Sequence, residues 1–252
     1  MDKGIYTAVA SINSQRMQEH NAVHELANVS TAGFKKAYQM ALQTYRVDGD
    51  GFKTRYLAGN TESGVVDLTP GSRIATGVAT DIYLNDATVL GVQNNEGVPV
   101  FTRRGDIRVN QGGELALVSG QLVLDNGGAP IVPPADQLLS ISDEGVVYAS
   151  DPTQEAAEPQ EVARLMLRDA SNVELEKMQD GFFKVRGQPA GDFEGGGEPV
   201  SVSSGQLEAS AAKAMDIMVG MINGVRSFEM KMKLVKELGD LGDTNNTLMR
   251  LV

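Results

Sequence analysis

The sequence predicts an α+β protein, in which an all-β middle body of meandering antiparallel strands is flanked by N- and C-terminal α-helices. Apolar residues recur at helical spacing near both ends of the 252-residue chain. Between these ends, apolar and polar residues alternate on either side of turns that contain glycine. Two packings satisfy the pattern equally well, since the helices could cover the chain's own sheet or pack on other chains.

The first helix is predicted over residues 4–30, where apolar side chains fall on one stripe. The stripe consists of Ile5, Val9, Ile12, Val23 and Leu26. It is interrupted midway by the polar residues Arg16, Glu19 and His20. The apolar face of this helix is therefore incomplete.

The last helix is predicted over residues 209–238 and has a more regular apolar seam. Its members lie three or four positions apart, which is close to the heptad spacing of coiled coils. They are Ala211, Met215, Met218, Ile222, Val225, Phe228, Met232 and Val235. Five methionines lie between positions 215 and 232, and such flexible side chains suit an interface that adapts to several neighbours.

The middle of the chain repeats a plan of strand, glycine-bearing turn and strand. The three turns are predicted around Gly112-Gly113, Gly127-Gly128 and residues 143–145. Further strands are predicted at residues 162–167 and 182–185. Residues 187–199 form a loop by composition, and residues 39–69 are predicted to be extended with weak strands.

Composition excludes several classes of partner and chemistry. The net charge is −11, with 33 acidic and 22 basic residues and no basic run, so no nucleic acid partner is expected. Cysteine is absent, which excludes disulfides and thiol nucleophiles. The N-terminal twenty residues lack the apolar region of a secretory signal, and no stretch approaches the length needed to span a bilayer. We therefore expect no cleaved signal and no membrane insertion.

Candidate catalytic and metal sites are weak. His20 and His24 lie four residues apart on the first helix, but the following Glu25 is misplaced for a zinc protease motif and a third ligand is missing. Solvated histidines are the favoured interpretation. The "DGDGF" stretch at residues 48–52 lacks the later ligands of a calcium loop and is predicted to be a turn. No enzyme activity, metal or cofactor is expected.

Four short motifs lie in the same order as in a known family. "LANVSTAGFKK" closes the first helix, and "LTPG" and "FTRRGDIRVNQGGELA" follow at residues 68–71 and 101–116. "SGQLEAS" at residues 204–210 precedes the run "MVGMINGVRSFEMKMKLV". Together they resemble the motifs of the flagellar axial proteins, the rod and hook subunits. The matching residues at the two ends are Leu26, Ala27, Asn28, Thr31, Gly33, Phe34, Lys35, Gly205, Leu207, Glu208, Arg226, Phe228 and Glu229.

The resemblance implies a structural subunit of the basal-body rod that assembles helically with copies of itself and other rod proteins. Within the family, the chain length and the start "MDKGIYTA" favour the proximal-rod type over its distal-rod relative. The resemblance also implies export through the flagellar type III apparatus and assembly in the periplasm. A periplasmic or surface β module that binds a ligand is the alternative from a different class.

The resemblance further implies a division of the chain into layers. Residues 1–34 and 205–252 would be helices of an inner coiled-coil core, in which the apolar seams form the assembly interface. Residues 71–204 would be the outer β body, reached through the connecting segment 35–70. The sequence departs from the family pattern at His24-Glu25, at residues 211–213 and at residues 84–93.

Overall fold

A computed structural model describes residues 2–37, 43–47, 55–59, 64–153 and 158–249. The chain divides into two compact units. The helical unit comprises Met1–Val29, Met40–Glu62 and Ala212–Val252, and the β unit comprises Ser30–Gln39 and Ser63–Ala211. The predicted turn at residues 48–52 lies outside the described residues.

The helical unit contains both predicted helices. Helix α1 runs over Asp2–Ala27 and helix α2 over Ala214–Met249. They pack antiparallel, because Gln15 of α1 contacts Gly224 while Ser11, one turn earlier, lies near Lys231. Strands β1 (Gln43–Val47) and β2 (Arg55–Gly59) form an antiparallel hairpin in the same unit.

The C-terminal helix begins later than its apolar pattern predicts. Residues 206–208, just before the predicted helix, form a strand, and Ala209 N donates a hydrogen bond to Ser72 O at 2.8 Å. Ala211 N donates to Phe34 O at 2.9 Å, which holds the chain extended as far as this residue. Tertiary pairing therefore overrides local helix propensity over the first five predicted residues.

The β unit holds fifteen short strands among its described residues, all paired antiparallel. They are β3 (Arg73–Ala75), β4 (Ile82–Leu84), β5 (Thr88–Gln93), β6 (Pro99–Thr102), β7 (Ile107–Val109), β8 (Leu115–Leu117), β9 (Leu122–Val123), β10 (Leu138–Ile141), β11 (Val146–Ser150), β12 (Gln160–Arg164), β13 (Leu167–Asp169), β14 (Leu175–Lys177), β15 (Phe183–Val185), β16 (Val202–Ser204) and β17 (Gln206–Glu208). The largest sheet has the order β14-β15-β6-β5-β9-β8-β7, with β13 pairing with β5. A three-stranded sheet β10-β11-β12 and the ribbons β16-β4 and β17-β3 complete the unit.

Buried apolar side chains form two clusters in the β unit. Leu90 and Val100 belong to the larger cluster, whereas their neighbours Val89 and Phe101 belong to the smaller one. Because successive side chains of a strand point to opposite faces, the central strands β5 and β6 are covered on both sides. This burial explains the nearly continuous apolar run of β5.

The predicted meander is largely confirmed. Strands β7 and β8 pair around the first glycine turn, and β10 and β11 pair around the third. Gly113 and Gly145 at these turns have φ values of +81° and +77°, in the left-handed region that favours glycine. The second turn closes only an isolated bridge between Leu124 and Pro130.

The strand predicted over residues 162–167 is interrupted. Strand β12 ends at Arg164 and β13 begins at Leu167, because the chain passes between two sheets at this point. Leu165 N donates to Gly145 O and Met166 N donates to Leu124 O, both at 2.9 Å. The loop at residues 187–199 contains no strand, as its composition predicts.

Candidate functional site

The four motifs lie far apart in the sequence, but segments of all four meet in the β unit. Their meeting point is a buried charge cluster formed by Lys35, Arg103 and Glu208. Each of these side chains has an exposed fraction of 0%. The N-terminal motif supplies Lys35, the "FTRRG" motif supplies Arg103, and the "GQLE" motif supplies Glu208.

The carboxylate of Glu208 joins three segments of the chain. Its Oε1 accepts hydrogen bonds from Lys35 Nζ at 2.6 Å and from Gly71 N, which follows "LTP", at 2.5 Å. Its Oε2 accepts from Arg103 Nε at 2.8 Å. Strand β17 places this carboxylate by pairing Glu208 with Arg73 of β3. One anion thus links two cations and a backbone amide that lie far apart in the sequence.

The guanidinium of Arg103 also donates hydrogen bonds to backbone carbonyl groups of the β unit. Its Nη1 donates to Asp86 O at 2.6 Å and Thr88 O at 2.9 Å, and its Nη2 donates to Leu84 O at 2.7 Å. These carbonyl groups lie at the end of β4, in the turn that follows it and at the first residue of β5. A buried guanidinium is tolerated because its charge is paired with Glu208 and each of its three nitrogens donates a hydrogen bond.

Lys35 carries the second buried cation. Its Nζ also donates to Thr69 O at 2.5 Å. Burial lowers the pKa of Lys35 from its ordinary value, and the hydrogen bond and charge of Glu208 oppose that shift. The two cations with one anion leave a net positive charge in the cluster, and the backbone carbonyls around Arg103 and Lys35 offset it.

Gly33 allows the N-terminal motif to approach the cluster closely. It has a φ of +66°, and a Cβ at this position would overlap the carbonyl group of Arg103. Its N–H donates to Glu208 O at 2.8 Å, and Phe34 O accepts from Ala211 N at 2.9 Å. Residues 33–34 are therefore fastened alongside residues 208–211. Only glycine satisfies both the conformation and the space.

Phe34 is held in place by a second lysine. The Nζ of Lys177 lies 3.8 Å from the centre of the Phe34 ring, and it donates to Lys35 O at 3.2 Å. Such a cation–π contact together with a hydrogen bond anchors the buried ring.

The remaining motif residues have positions outside the cluster. Leu26 and Ala27 end α1, and Asn28 Nδ2 donates to His24 O at 2.9 Å beyond them. Phe34 N donates to Thr31 O at 3.3 Å, Gly205 has a φ of +71°, and Leu207 is half-buried in β17. On α2, Phe228 is half-buried, whereas Arg226 and Glu229 are exposed.

The predicted apolar seam of α2 separates into two faces. Five of its members are exposed in the subunit, with exposed fractions between 47% and 75%, and they are Met215, Met218, Ile222, Val225 and Met232. Phe228 and Val235 are half-buried on a different face, which also carries Ile217, Met221, Gly224 and Lys231. Gly224 and Lys231 contact α1, so this second face is the one turned toward α1.

The predicted stripe of α1 is only partly covered. Ile12 and Leu26 are half-buried, and Val23 is exposed. The side chains of Ile5 and Val9 lie outside the described part of the chain. The buried position in the described stretch of α1 is polar, since Gln15 has an exposed fraction of 5%.

A separate open groove of about 680 Å³ lies beside the loop at residues 187–199. Arg168 pairs with Asp192 at 2.9 Å at its edge. Beneath the loop, the buried Asp169 accepts hydrogen bonds from Ser171 N at 2.9 Å, Ser171 Oγ at 2.8 Å and Glu198 N at 3.1 Å. Desolvation acts to raise the pKa of Asp169, but these hydrogen bonds outweigh it and hold the pKa below its ordinary value.

In the described part of the chain, neither a metal site at the histidines nor a membrane-spanning helix is found. His20 and His24 lie on the exposed side of α1. Within the described ranges, no group of three or more His, Cys, Asp or Glu residues is placed to hold a metal ion. Over the same ranges, neither helix contains a stretch apolar enough to cross a membrane.

The buried charged residues Arg103 and Asp169 are among those that the sequence did not single out. The position of Arg103 inside the "FTRRG" motif was an available signal, because that motif is one of the four. Asp169 has no comparable signal, since it is one of 33 acidic residues and its partners come from the folded loop.

No family model matches the chain, but comparison with known proteins finds flagellar rod proteins that are similar to it. The flagellar basal-body rod proteins FlgF of Salmonella typhimurium and Escherichia coli are each 32% identical to it, with 100% of both chains covered. The flagellar basal-body rod protein FlgG of Bacillus subtilis is 23% identical over 93% of this chain and 94% of its own. The fold, the motif cluster and these relatives together define a structural subunit of the flagellar rod. The chain belongs to the FlgF family of flagellar basal-body rod proteins.

Proposed function

We propose that this chain is a proximal-rod subunit that assembles helically with copies of itself and with other rod proteins, and that it transmits torque. The observation that carries the proposal is the exposed apolar face of α2. Met218, Ile222 and Val225 are each about half exposed in the subunit and lie along one line of this face. An apolar face of this length is typical of a surface that another molecule covers.

Helices of neighbouring subunits are the partner that this face fits best. The exposed side chains at positions 215, 218, 222, 225 and 232 keep the three- and four-residue steps of a coiled-coil seam. In the proposed assembly, α1 and α2 form an inner coiled-coil layer and residues 71–204 belong to the outer layer. The chain's relatives are named as rod proteins, which supports rod subunits as those neighbours.

The buried charge cluster suits a mechanical role. It binds the segments that carry the four motifs through short, charge-assisted hydrogen bonds with no exposed member. A load applied to residues 33–36 or 205–211 is thereby passed directly into the β unit. All three charged groups are occupied with one another and with the backbone, and the relatives are structural rod proteins, so we propose no catalytic activity.

The same family supports a proposal for the type of rod protein and for its export route. FlgF relatives match at 24% to 32% identity and FlgG relatives at 22% to 24%. The two relatives at 32% identity over the full chain are both FlgF proteins, which supports the proximal-rod type over the distal-rod alternative. We propose export through the flagellar type III apparatus without a cleaved signal, followed by assembly in the periplasmic part of the basal body.

The variant Val225→Asp tests the assembly interface. Val225 is 54% exposed, so the charge should change the stability of the isolated subunit by no more than about 0.5 kcal/mol. Buried between neighbouring helices, the same charge would cost several kcal/mol, on the order of 3 or more. We expect the variant to be produced and folded but absent from purified basal bodies, with loss of motility.

Asn223→Asp is the matched control, since it adds the same charge at an exposed position two residues away and off the seam. It should incorporate and support swimming. Motility of the Val225→Asp strain equal to that of the control would refute this interface.

A further inference from the structure

The contact between α1 and α2 is centred on a polar side chain. Gln15 is buried, yet the apolar residues Met17 and Val23 on the same helix are exposed, with exposed fractions of 43% and 53%. Opposite Gln15 lies Gly224, whose backbone carbonyl oxygen accepts a hydrogen bond from the amide. The face of α2 that is turned toward α1 is otherwise largely apolar, since it carries Ile217, Met221 and Phe228. Gln15 is therefore a polar exception in this contact.

The hydrogen bonds of Gln15 are specific to this arrangement. Its Nε2 donates to the carbonyl oxygen of Gly224 across the helix pair and lies 3.3 Å from Glu19 Oε1 on its own helix. A Cβ at position 224 would lie 4.0 Å from Gln15 Nε2 and 3.6 Å from Glu19 Oε1. A Cβ at this position would therefore be in ordinary van der Waals contact with both side chains.

The contacts of Gln15 with Gly224 and of Lys231 with Ser11 together distinguish one register from another. Gln15 Oε1 is buried without a hydrogen-bond partner in the described structure, so Nε2 holds the cross-helix hydrogen bond of this amide. Burying an amide that lacks partners is unfavourable. Sliding α2 by one turn would bring Gly220 opposite Gln15, but it would also move Lys231 Nζ away from Ser11 O, which lies 3.5 Å from it.

We propose that Gln15 and Gly224 set the register of the helix pair within the subunit, and that this register determines which face of α2 is left for neighbouring subunits. A single buried polar residue fixes the register of helix pairs in the same way, at some cost in stability. Flexible apolar side chains such as Met221, on the face of α2 turned toward α1, repack easily and tolerate sliding. The polar contact thus supplies a specificity that the apolar contacts of this face lack.

Engineered cysteine pairs test the register, since the natural chain contains no cysteine. The pair Glu19→Cys/Gly224→Cys reports the observed register, because Glu19 Cγ lies 3.8 Å from the position of a Cβ at 224. The pair Glu19→Cys/Gly220→Cys reports the register shifted by one turn. The full-length chain is oxidised at low concentration, and intrachain disulfides are separated from dimers by gel electrophoresis.

We expect the 19/224 disulfide to form and the 19/220 disulfide to be at least tenfold less abundant. The added substitution Gln15→Leu should bring the two yields within about threefold of each other, with no fall in melting temperature, because leucine removes the polar constraint while keeping the packing. Gln18→Leu is the matched control at an exposed glutamine of the same helix and should leave the preference unchanged.

A second measurement avoids changing Gly224. Ser11→Cys/Lys231→Cys, joined by a short bifunctional maleimide, should cross-link in the natural background and lose yield with Gln15→Leu. The proposal is overturned if the 19/224 preference survives Gln15→Leu, or if the 19/220 pair is preferred in the natural background. A cross-linking loss that accompanies a lower melting temperature would indicate a merely structural role for Gln15 and would also overturn it.

Discussion

Glu208 shows how a single side chain can organise a fold. It neutralises Lys35 and Arg103 and also accepts the N–H of Gly71. Removing one partner of a buried ion group leaves uncompensated charge, which is more damaging than replacing the whole group by apolar side chains. The cluster therefore makes the stability of the β unit sensitive to one carboxylate.

The variant Glu208→Gln tests that sensitivity. The amide keeps the shape but leaves two buried cations without an anion, so we expect a loss of about 3–5 kcal/mol in the free energy of unfolding. Chemical denaturation of the full chain measures it. Glu174→Gln is the control, since Glu174 forms an exposed pair with Arg186 at 2.7 Å, and should cost less than about 1 kcal/mol. Equal losses in the two variants would show that the cluster is not stabilised as described.

Because the pKa of Asp169 is lowered in the folded chain, we expect the free energy of unfolding to depend on pH. Its folded pKa is lowered, so the stability it contributes is present above the unfolded pKa, about 3.9, and is lost as the pH falls through the folded pKa. Asp169→Asn should be less stable than the natural chain at pH 7, by about 2 kcal/mol. The difference should shrink below about pH 4.

Thermal unfolding between about pH 7 and about pH 2.5 measures this convergence. Asp143→Asn, at an exposed position, should follow the natural chain at every pH. A difference between Asp169→Asn and the natural chain that stays constant down to the acid end of this range would contradict the role of the hydrogen bonds to Asp169.

At the scale of elements, strand β17 shows the strongest dependence on partners distant in sequence. It pairs with β3 through Gln206 to Glu208, and the residues after it hydrogen bond to Ser72 and Phe34. The β unit is therefore completed by residues 30–37 from one end of the chain and 205–211 from the other. Both additions lie outside the body predicted from local turns.

Two fragments test this dependence. A fragment of residues 30–211 contains the whole charge cluster, whereas residues 71–204 lack Lys35 and Glu208. Unpaired Arg103 should cost the shorter fragment about 3–5 kcal/mol, which is a large part of a typical domain stability of about 5–15 kcal/mol. We expect cooperative thermal unfolding only for residues 30–211. Equal melting temperatures for the two fragments would show that the ends are dispensable.

For the whole molecule, a net charge of −11 acts against the exposed apolar face of α2. Like charges keep copies of the chain apart at low salt, while burial of the apolar face favours association. Because the screening length falls from about 10 Å at 0.1 M salt to about 3 Å at 1 M, salt weakens only the repulsion between copies.

We therefore expect self-association of the purified chain to increase with salt. Sedimentation velocity at about 0.05 M and about 0.5 M NaCl measures it, a range over which the screening length shortens about threefold. Val225→Asp should remain monomeric at both concentrations, since it places a charge on the apolar face. Association that weakens with added salt would indicate ionic contacts between copies instead of the proposed apolar ones.

The sequence alone predicted the features that depend on neighbouring residues. Periodicity located both helices, and glycine-bearing turns located the β7–β8 and β10–β11 hairpins. The four motifs indicated the flagellar axial family, because each is a contiguous run of residues that can be recognised without its folded partners. These predictions succeed because helix periodicity and turn conformation are set by residues within a few positions of one another.

Tertiary structure alone decided how those features combine. Lys35 and Glu208 are 173 residues apart and Arg103 and Glu208 are 105 apart, so no local pattern indicates their contact. Pairing with β3 and the hydrogen bonds beyond it kept the first predicted residues of α2 out of the helix. Packing against α1 divided the predicted apolar seam between a half-buried face and an exposed one. Such outcomes depend on which surfaces meet, because burial and charge pairing act between segments that only the folded chain brings together.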